Sequence, residues 1–156
     1  MKNLKPARLI VVGAILGLLS SLMILLPVLS VSTPEGTYTG IELTFGKELL
    51  NWGGFVSAKI MFSPLNLLAF ALPLLGSLCL LFFRKSQMIG AVVFIIAAIL
   101  LFFLPNFTTV NQTILGTTSE IDIDWTMDIG LIAAMSLSMI AAVFSILGAV
   151  AEKELQ

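Results

Sequence analysis

The sequence contains no histidine, a single cysteine and a single tyrosine, and only 11% of its 156 residues are charged. Without histidine the chain lacks the commonest general base and the commonest metal ligand near neutral pH. One cysteine forms neither an intramolecular disulfide nor a thiolate metal centre. Soluble domains are about 25% charged and about 45–50% apolar. Here the hydrophobic share is 58%. A soluble globular domain is thereby excluded, and so is a disordered chain. Nucleophile elbow, phosphate loop and Ser-His-Asp constellation are all missing, which argues against an enzyme. No cofactor and no nucleic acid partner are expected.

What the chain does have is long apolar stretches. They run from Leu9 to Val31, Pro64 to Phe83, Met88 to Leu104 and Ile129 to Ala151, and none contains Asp, Glu, Lys or Arg. As helices they would be roughly 25–35 Å long, which matches a hydrocarbon core of about 30 Å. Backbone in lipid must satisfy its own hydrogen bonds, so helices are the expected form. The fold class predicted is an all-α membrane protein. Residues 1–156 would form one domain, a four-transmembrane-helix bundle with a small extracellular β cap. Ser63-Pro64 reads as a helix start, and Asp128 as a cap for the fourth span. Pro105 would stop the third span, and Pro73 would kink the second.

Basic residues give the orientation. Lys2, Lys5, Arg8, Arg84, Lys85 and Lys153 fall on one side, and only Lys47 and Lys59 on the other. The positive-inside rule places both termini in the cytoplasm. The outer loops, 32–63 and 105–128, carry Glu35, Glu42, Glu48, Glu120, Asp122, Asp124 and Asp128. The outer face is therefore acidic and the inner face basic. The first stretch begins like a signal peptide, but its apolar run exceeds the usual 7–15 residues or so, which favours a retained span.

Each outer loop contains an alternating segment. Ile41, Leu43 and Phe45 share one face of a candidate strand in the first loop, and Ile121, Ile123 and Trp125 do so in the second. Two half-apolar strands beside one membrane surface are expected to pair into the cap. Four spans, internal termini, a long first outer loop and a very short inner turn resemble the claudin-type tetraspan layout. Similarity is confined to topology, because Trp52-Gly53-Gly54 is not the claudin loop motif and Cys79 lies within a span. The chain also resembles small four-span bacterial membrane proteins, which implies a bacterial plasma membrane and no particular activity.

Small residues recur at four-residue spacing: Gly13, Gly17 and Ser21 in the first span, and Gly130, Ala134, Ser138 and Ala142 in the fourth. A second row there is Ala141, Ser145 and Ala149. Such rows let helix backbones approach closely, within the bundle or toward a partner helix. Glu120, Asp122 and Asp124 share a face and are weak candidates for a calcium site, with a solvated acidic face as the alternative. Asn66 is an uncommon polar residue in an apolar span and is expected to bond across to another helix or to the first loop. The leading expectation is a non-enzymatic accessory or scaffold protein that acts through helix contacts and its acidic cap. The alternatives are an oligomeric small transporter or pore component and a binder of lipid or a hydrophobic ligand in a groove opened at Pro73. Expected partners are membrane lipid and either further copies of the chain or another membrane protein.

Overall fold

The computed structural model describes residues 6–32, 35–53, 55–82 and 87–153. Of the residues used for orientation, Lys2, Lys5, Arg84 and Lys85 lie outside this set, as does Phe83 at the end of the second apolar stretch. Four apolar helices pack together: α1 (Pro6–Leu22), α3 (Pro64–Phe82), α4 (Gln87–Phe102) and α6 (Ile129–Lys153). A short 3-10 turn, Met23–Leu25, extends α1. Three of these segments, Pro6–Leu25, Pro64–Phe82 and Ile129–Lys153, are long and apolar enough to cross a membrane. The fourth, α4, has 16 residues, about 24 Å of helix. Pro105 does not simply end it, but sits in the first turn of a separate short helix, α5 (Leu104–Phe107).

The helices invert the pattern of a soluble bundle. On α1 the buried residues are Leu9, Ile10, Gly13, Ala14, Gly17 and Ser20, while Val11, Val12, Ile15, Leu19 and Leu22 are exposed. On α6 the buried set is mostly Gly, Ala and Ser, and the exposed set includes Ile132, Met139, Ile140, Val143, Ile146 and Leu147. Small side chains inside and large aliphatic ones outside suit a bundle whose surroundings are as apolar as its interior. Three long helices of this kind mark a multi-pass membrane protein.

Close approach of the backbones is where the small residues act. Phe94 of α4 is fully buried. A methyl group added at Gly17 of α1 would overlap its ring and the Ser77 hydroxyl, and one at Gly76 of α3 would lie 2.9 Å from the same ring. At Gly130 an added methyl would overlap the Pro27 carbonyl oxygen. Ser20 Oγ donates to the Ala134 carbonyl at 2.8 Å and lies 2.8 Å from Ser138 Oγ, which joins α1 to α6. Ser21 donates to the Phe70 carbonyl and joins α1 to α3. Helix α3 continues unbroken through Pro73, whose carbonyl accepts from Ser77 Oγ at 2.8 Å.

The sheets correct the all-α expectation. One is three-stranded, ordered β2 (Glu35–Thr39), β1 (Pro27–Ser32), β7 (Thr126–Met127). The other is four-stranded, ordered β3 (Glu48–Trp52), β4 (Val56–Ile60), β5 (Val110–Ile114), β6 (Thr117–Ile121). All pairings are antiparallel. The fold is therefore mixed. The first helix ends well before Val31, because Leu26, which precedes a proline, is extended and Pro27 cannot continue the ladder.

Neither sequence-predicted cap strand survives whole. Residues 40–45 form a short helix, α2 (Gly40–Phe45), started by a capping box: Thr39 Oγ1 accepts from the Glu42 amide, and Glu42 Oε2 accepts from the Thr39 amide at 2.9 Å. The box outweighs the two-residue alternation of Ile41, Leu43 and Phe45. Leu43 is buried, whereas Ile41 and Phe45 are exposed. In the second loop β6 stops at Ile121, and the two segments do not pair.

Cap and bundle share one core. Val28, Leu29, Leu43, Ile60 and Val110 from the cap pack in a single cluster with Phe70, Leu101, Leu131 and Ala134 from the helices. A second cluster, with Ile10, Ala14, Leu80, Phe94, Ala141 and Ala142, fills the other half of the bundle. Ser138→Leu is expected to lower the thermal midpoint in detergent markedly, since overpacking costs about 1–3 kcal/mol and the Ser20 bond is lost with it. The exposed Ile140→Leu is expected to leave it unchanged. Circular dichroism melting measures both.

Candidate functional site

The cap end of the bundle is organised around Asn66. Pro64 opens α3, and Ser63 Oγ caps it by accepting from the Asn66 amide at 3.3 Å. This places the Asn66 side chain, which is fully buried, beneath the cap. Its Nδ2 donates to the Leu43 carbonyl of α2 at 3.1 Å and to Thr108 Oγ1 at 3.0 Å. Thr108 in turn donates to the Leu104 carbonyl at 3.1 Å. One amide thus ties α3 to α2 and to the end of α5. Of the two expectations for Asn66, a bond to another helix or to the first loop, the structure shows the bond to the first loop, with a second bond to Thr108. Thr44 Oγ1 and Asn66 Oδ1 are buried here without a hydrogen-bond partner.

Beside this junction lies an open cleft of about 820 Å³, lined by Pro105, Asn106, Thr108, Thr109, Glu120, Ile121, Asp122, Ile123, Asp124 and Trp125. The three carboxylates singled out in the sequence all line it. Alternation in 120–125 persists as burial even where hydrogen-bonded strand has ended. Ile121, Ile123 and Trp125 pack against the core, while Glu120, Asp122 and Asp124 are exposed. Trp125 is held edge-on by Tyr38, with ring centroids 5.7 Å apart. Among the described residues no group of three or more His, Cys, Asp or Glu side chains is placed to hold a metal ion. The arrangement is an anionic, aromatic-edged hollow, suited to a positively charged group.

A separate charge pair braces α2. Lys47 Nζ lies 2.6 Å from Glu42 Oε1 and 5.6 Å from the centre of the Tyr38 ring. Burial pushes the Glu42 carboxyl up, but the Lys47 hydrogen bond and charge and the two Thr39 bonds together outweigh it, so it sits below the usual carboxylate range. Lys59 instead stands opposite Glu48 across the β3–β4 ladder.

The remaining sequence-predicted residues are distributed elsewhere. Gly13, Gly17, Ala134, Ser138 and Ala142 are buried between helices, Gly130 is buried against Pro27 at the start of β1, and Ser21 is half-buried at the α1–α3 contact. Aspartate 128 caps α6 through its Oδ1, which accepts from the Ile129 amide at 2.7 Å. Asn106, Thr108 and Thr109 were not legible as cleft residues, because they join the acidic segment only through the pairing of β5 with β6. The four-stranded sheet was also missed. It ends in two adjacent turns, where the Leu115 amide donates to the Phe55 carbonyl at 2.8 Å. Trp52, Phe55 and Leu115 are 71%, 67% and 77% exposed there. Leu115 and Gly116 both have positive φ, 49° and 85°, the signature of a tight two-residue hairpin.

Compared with known proteins, the chain matches no family model, no curated protein and no solved structure. Asn66→Leu is expected to destabilise the protein by about 1–3 kcal/mol, because the Leu43 carbonyl loses its buried donor. Hydrogen exchange should show α2 loosening first, and uniform loosening of all helices would contradict the latch.

Proposed function

We propose that the chain is a non-enzymatic accessory protein of the plasma membrane whose recognition surface is the acidic cleft of its outer cap. The observation that carries this reading is the convergence of Glu120, Asp122, Asp124 and Trp125 on one open hollow of about 820 Å³. The rows of small residues, the other candidate contact surface, face inward and serve the bundle's own packing. Lateral helix contacts are therefore the lesser part of the mechanism, and the cap the greater.

In this reading α4 is also a span, the third of four in chain order. Its 16 residues are continued toward the outer surface by α5. Both termini lie in the cytoplasm, in keeping with the basic residues of the sequence. Four spans and internal termini also fit the claudin-type layout and that of small bacterial four-span proteins.

Two measurements test the proposal. In a Cys79→Ser background, Thr118→Cys should react with a membrane-impermeant maleimide in intact cells, and Lys153→Cys only after permeabilisation; the reverse pattern overturns the orientation. A photo-crosslinking residue at position 122 should give discrete adducts in native membranes. Neutralising Glu120 and Asp124 should remove them, and adducts indifferent to those carboxylates would contradict recognition by the cleft.

A further inference from the structure

A second concavity lies on the lipid-facing side of the bundle, between α4 and α6. It is a groove of about 310 Å³ lined by Ala98, Ile99, Phe102, Phe103, Met135 and Met139, all apolar. Its volume falls at the lower end of the roughly 300–1,000 Å³ typical of small-molecule sites. Met135 and Met139 lie in the second and third turns of α6, about 9–15 Å below its outer end. The groove therefore occupies the half of the bundle next to the cap. Phe102, Ile99 and Met139 are each about half exposed, so the groove is open to lipid along its length.

Groove and cleft are linked by one turn of chain. Phe103 lines the groove, Pro105 and Asn106 line the cleft, and the Asn106 amide donates to the Phe103 carbonyl at 3.0 Å. An apolar slot below an anionic hollow has the polarity of an amphiphile. The cleft supplies three carboxylates and a tryptophan, and among the described residues no lysine or arginine lines either concavity. An ammonium group is favoured by both the carboxylates and the aromatic ring, and an anionic headgroup is repelled by the same set. Methionine side chains adapt to a flexible hydrocarbon chain.

We propose that groove and cleft together bind a free single-chain amphiphile with a cationic amine headgroup, taken from the outer leaflet. Its upper chain lies between α4 and α6, and its ammonium sits among Glu120, Asp122 and Asp124. This rests on the cleft being the recognition surface, and it names the class of ligand recognised there.

The test uses the full chain in phosphatidylcholine nanodiscs with Trp52→Phe, which leaves Trp125 as the sole tryptophan reporter. Its emission is followed while octadecylamine, octadecanol or stearate is added. Octadecylamine should give a saturable shift at about tenfold lower mole fraction than octadecanol, the equivalent of one well-placed charge contact, and stearate should give none. The triple variant Glu120→Gln, Asp122→Asn, Asp124→Asn should bring the amine to the alcohol's value. Met139→Phe, which fills the groove from its exposed side, should weaken amine and alcohol alike. Equal responses to amine and alcohol in the parent chain would overturn the proposal, as would an equal response to butylamine, which has no chain to place. If octadecylamine gives no shift while carboxylate-dependent crosslinking at position 122 persists, the ligand class falls and the recognition reading stands. If both fail, both fall.

Discussion

The bundle depends on one interlock, the Phe94 ring seated where Gly17 of α1 and Gly76 of α3 leave room for it. In lipid there is no hydrophobic drive between helices, so association rests on close packing and interhelical hydrogen bonds. An aromatic side chain with no exposed surface supplies many dispersion contacts, but only if the facing backbones carry no side chain at that level. Ser77 lies at the same level, with its hydroxyl returned to the Pro73 carbonyl of its own helix. The polar group is thereby satisfied without competing for the space.

From this constraint follows the division of labour in the molecule. Small residues are consumed inside, leaving the outward helix faces to large aliphatic residues. Polar contacts between helices include Ser20 with Ser138 and Ala134, Ser21 with Phe70, Ser145 with the Gln87 carbonyl at 2.6 Å, and the Gln87 side-chain amide with the Glu152 carboxylate. The cap is continuous with the bundle through a shared core and through the Asn66 amide. Side chains of differing charge and polarity are then free to gather on the cap, where the cleft forms.

Much of this was legible in the sequence. Apolar stretches located the helices, with Ser63-Pro64 and Asp128 marking two starts correctly. Gly17, Ala134 and Ser138 of the small-residue rows lie at helix contacts, while Gly130 packs against Pro27, and the Asn66 amide bonds to the first loop. Alternation in 120–125 foretold which side chains turn in and which turn out. What misled was alternation where another local signal was stronger: Thr39 and Glu42 form a capping box, so Ile41, Leu43 and Phe45 lie on a helical turn. Pro27 lay within an unbroken apolar run, and its role in starting β1 depended on β2 and β7 being available to pair. The cleft and the α4–α6 groove required tertiary structure, since their walls come from segments that only folding brings together.

The central claim is that this aromatic–glycine interlock holds the helices together. A double-mutant cycle in thermal stability, using Gly17→Ala and Phe94→Leu on the full chain in nanodiscs, tests it most directly. Each single change should lower the midpoint, by overpacking and by loss of ring contacts respectively. The double variant should lose less than the sum of the two single losses, because the smaller side chain removes the overlap with the ring while the one with the Ser77 hydroxyl remains; this is a coupling of about 0.5–3 kcal/mol. Strictly additive losses would contradict the interlock.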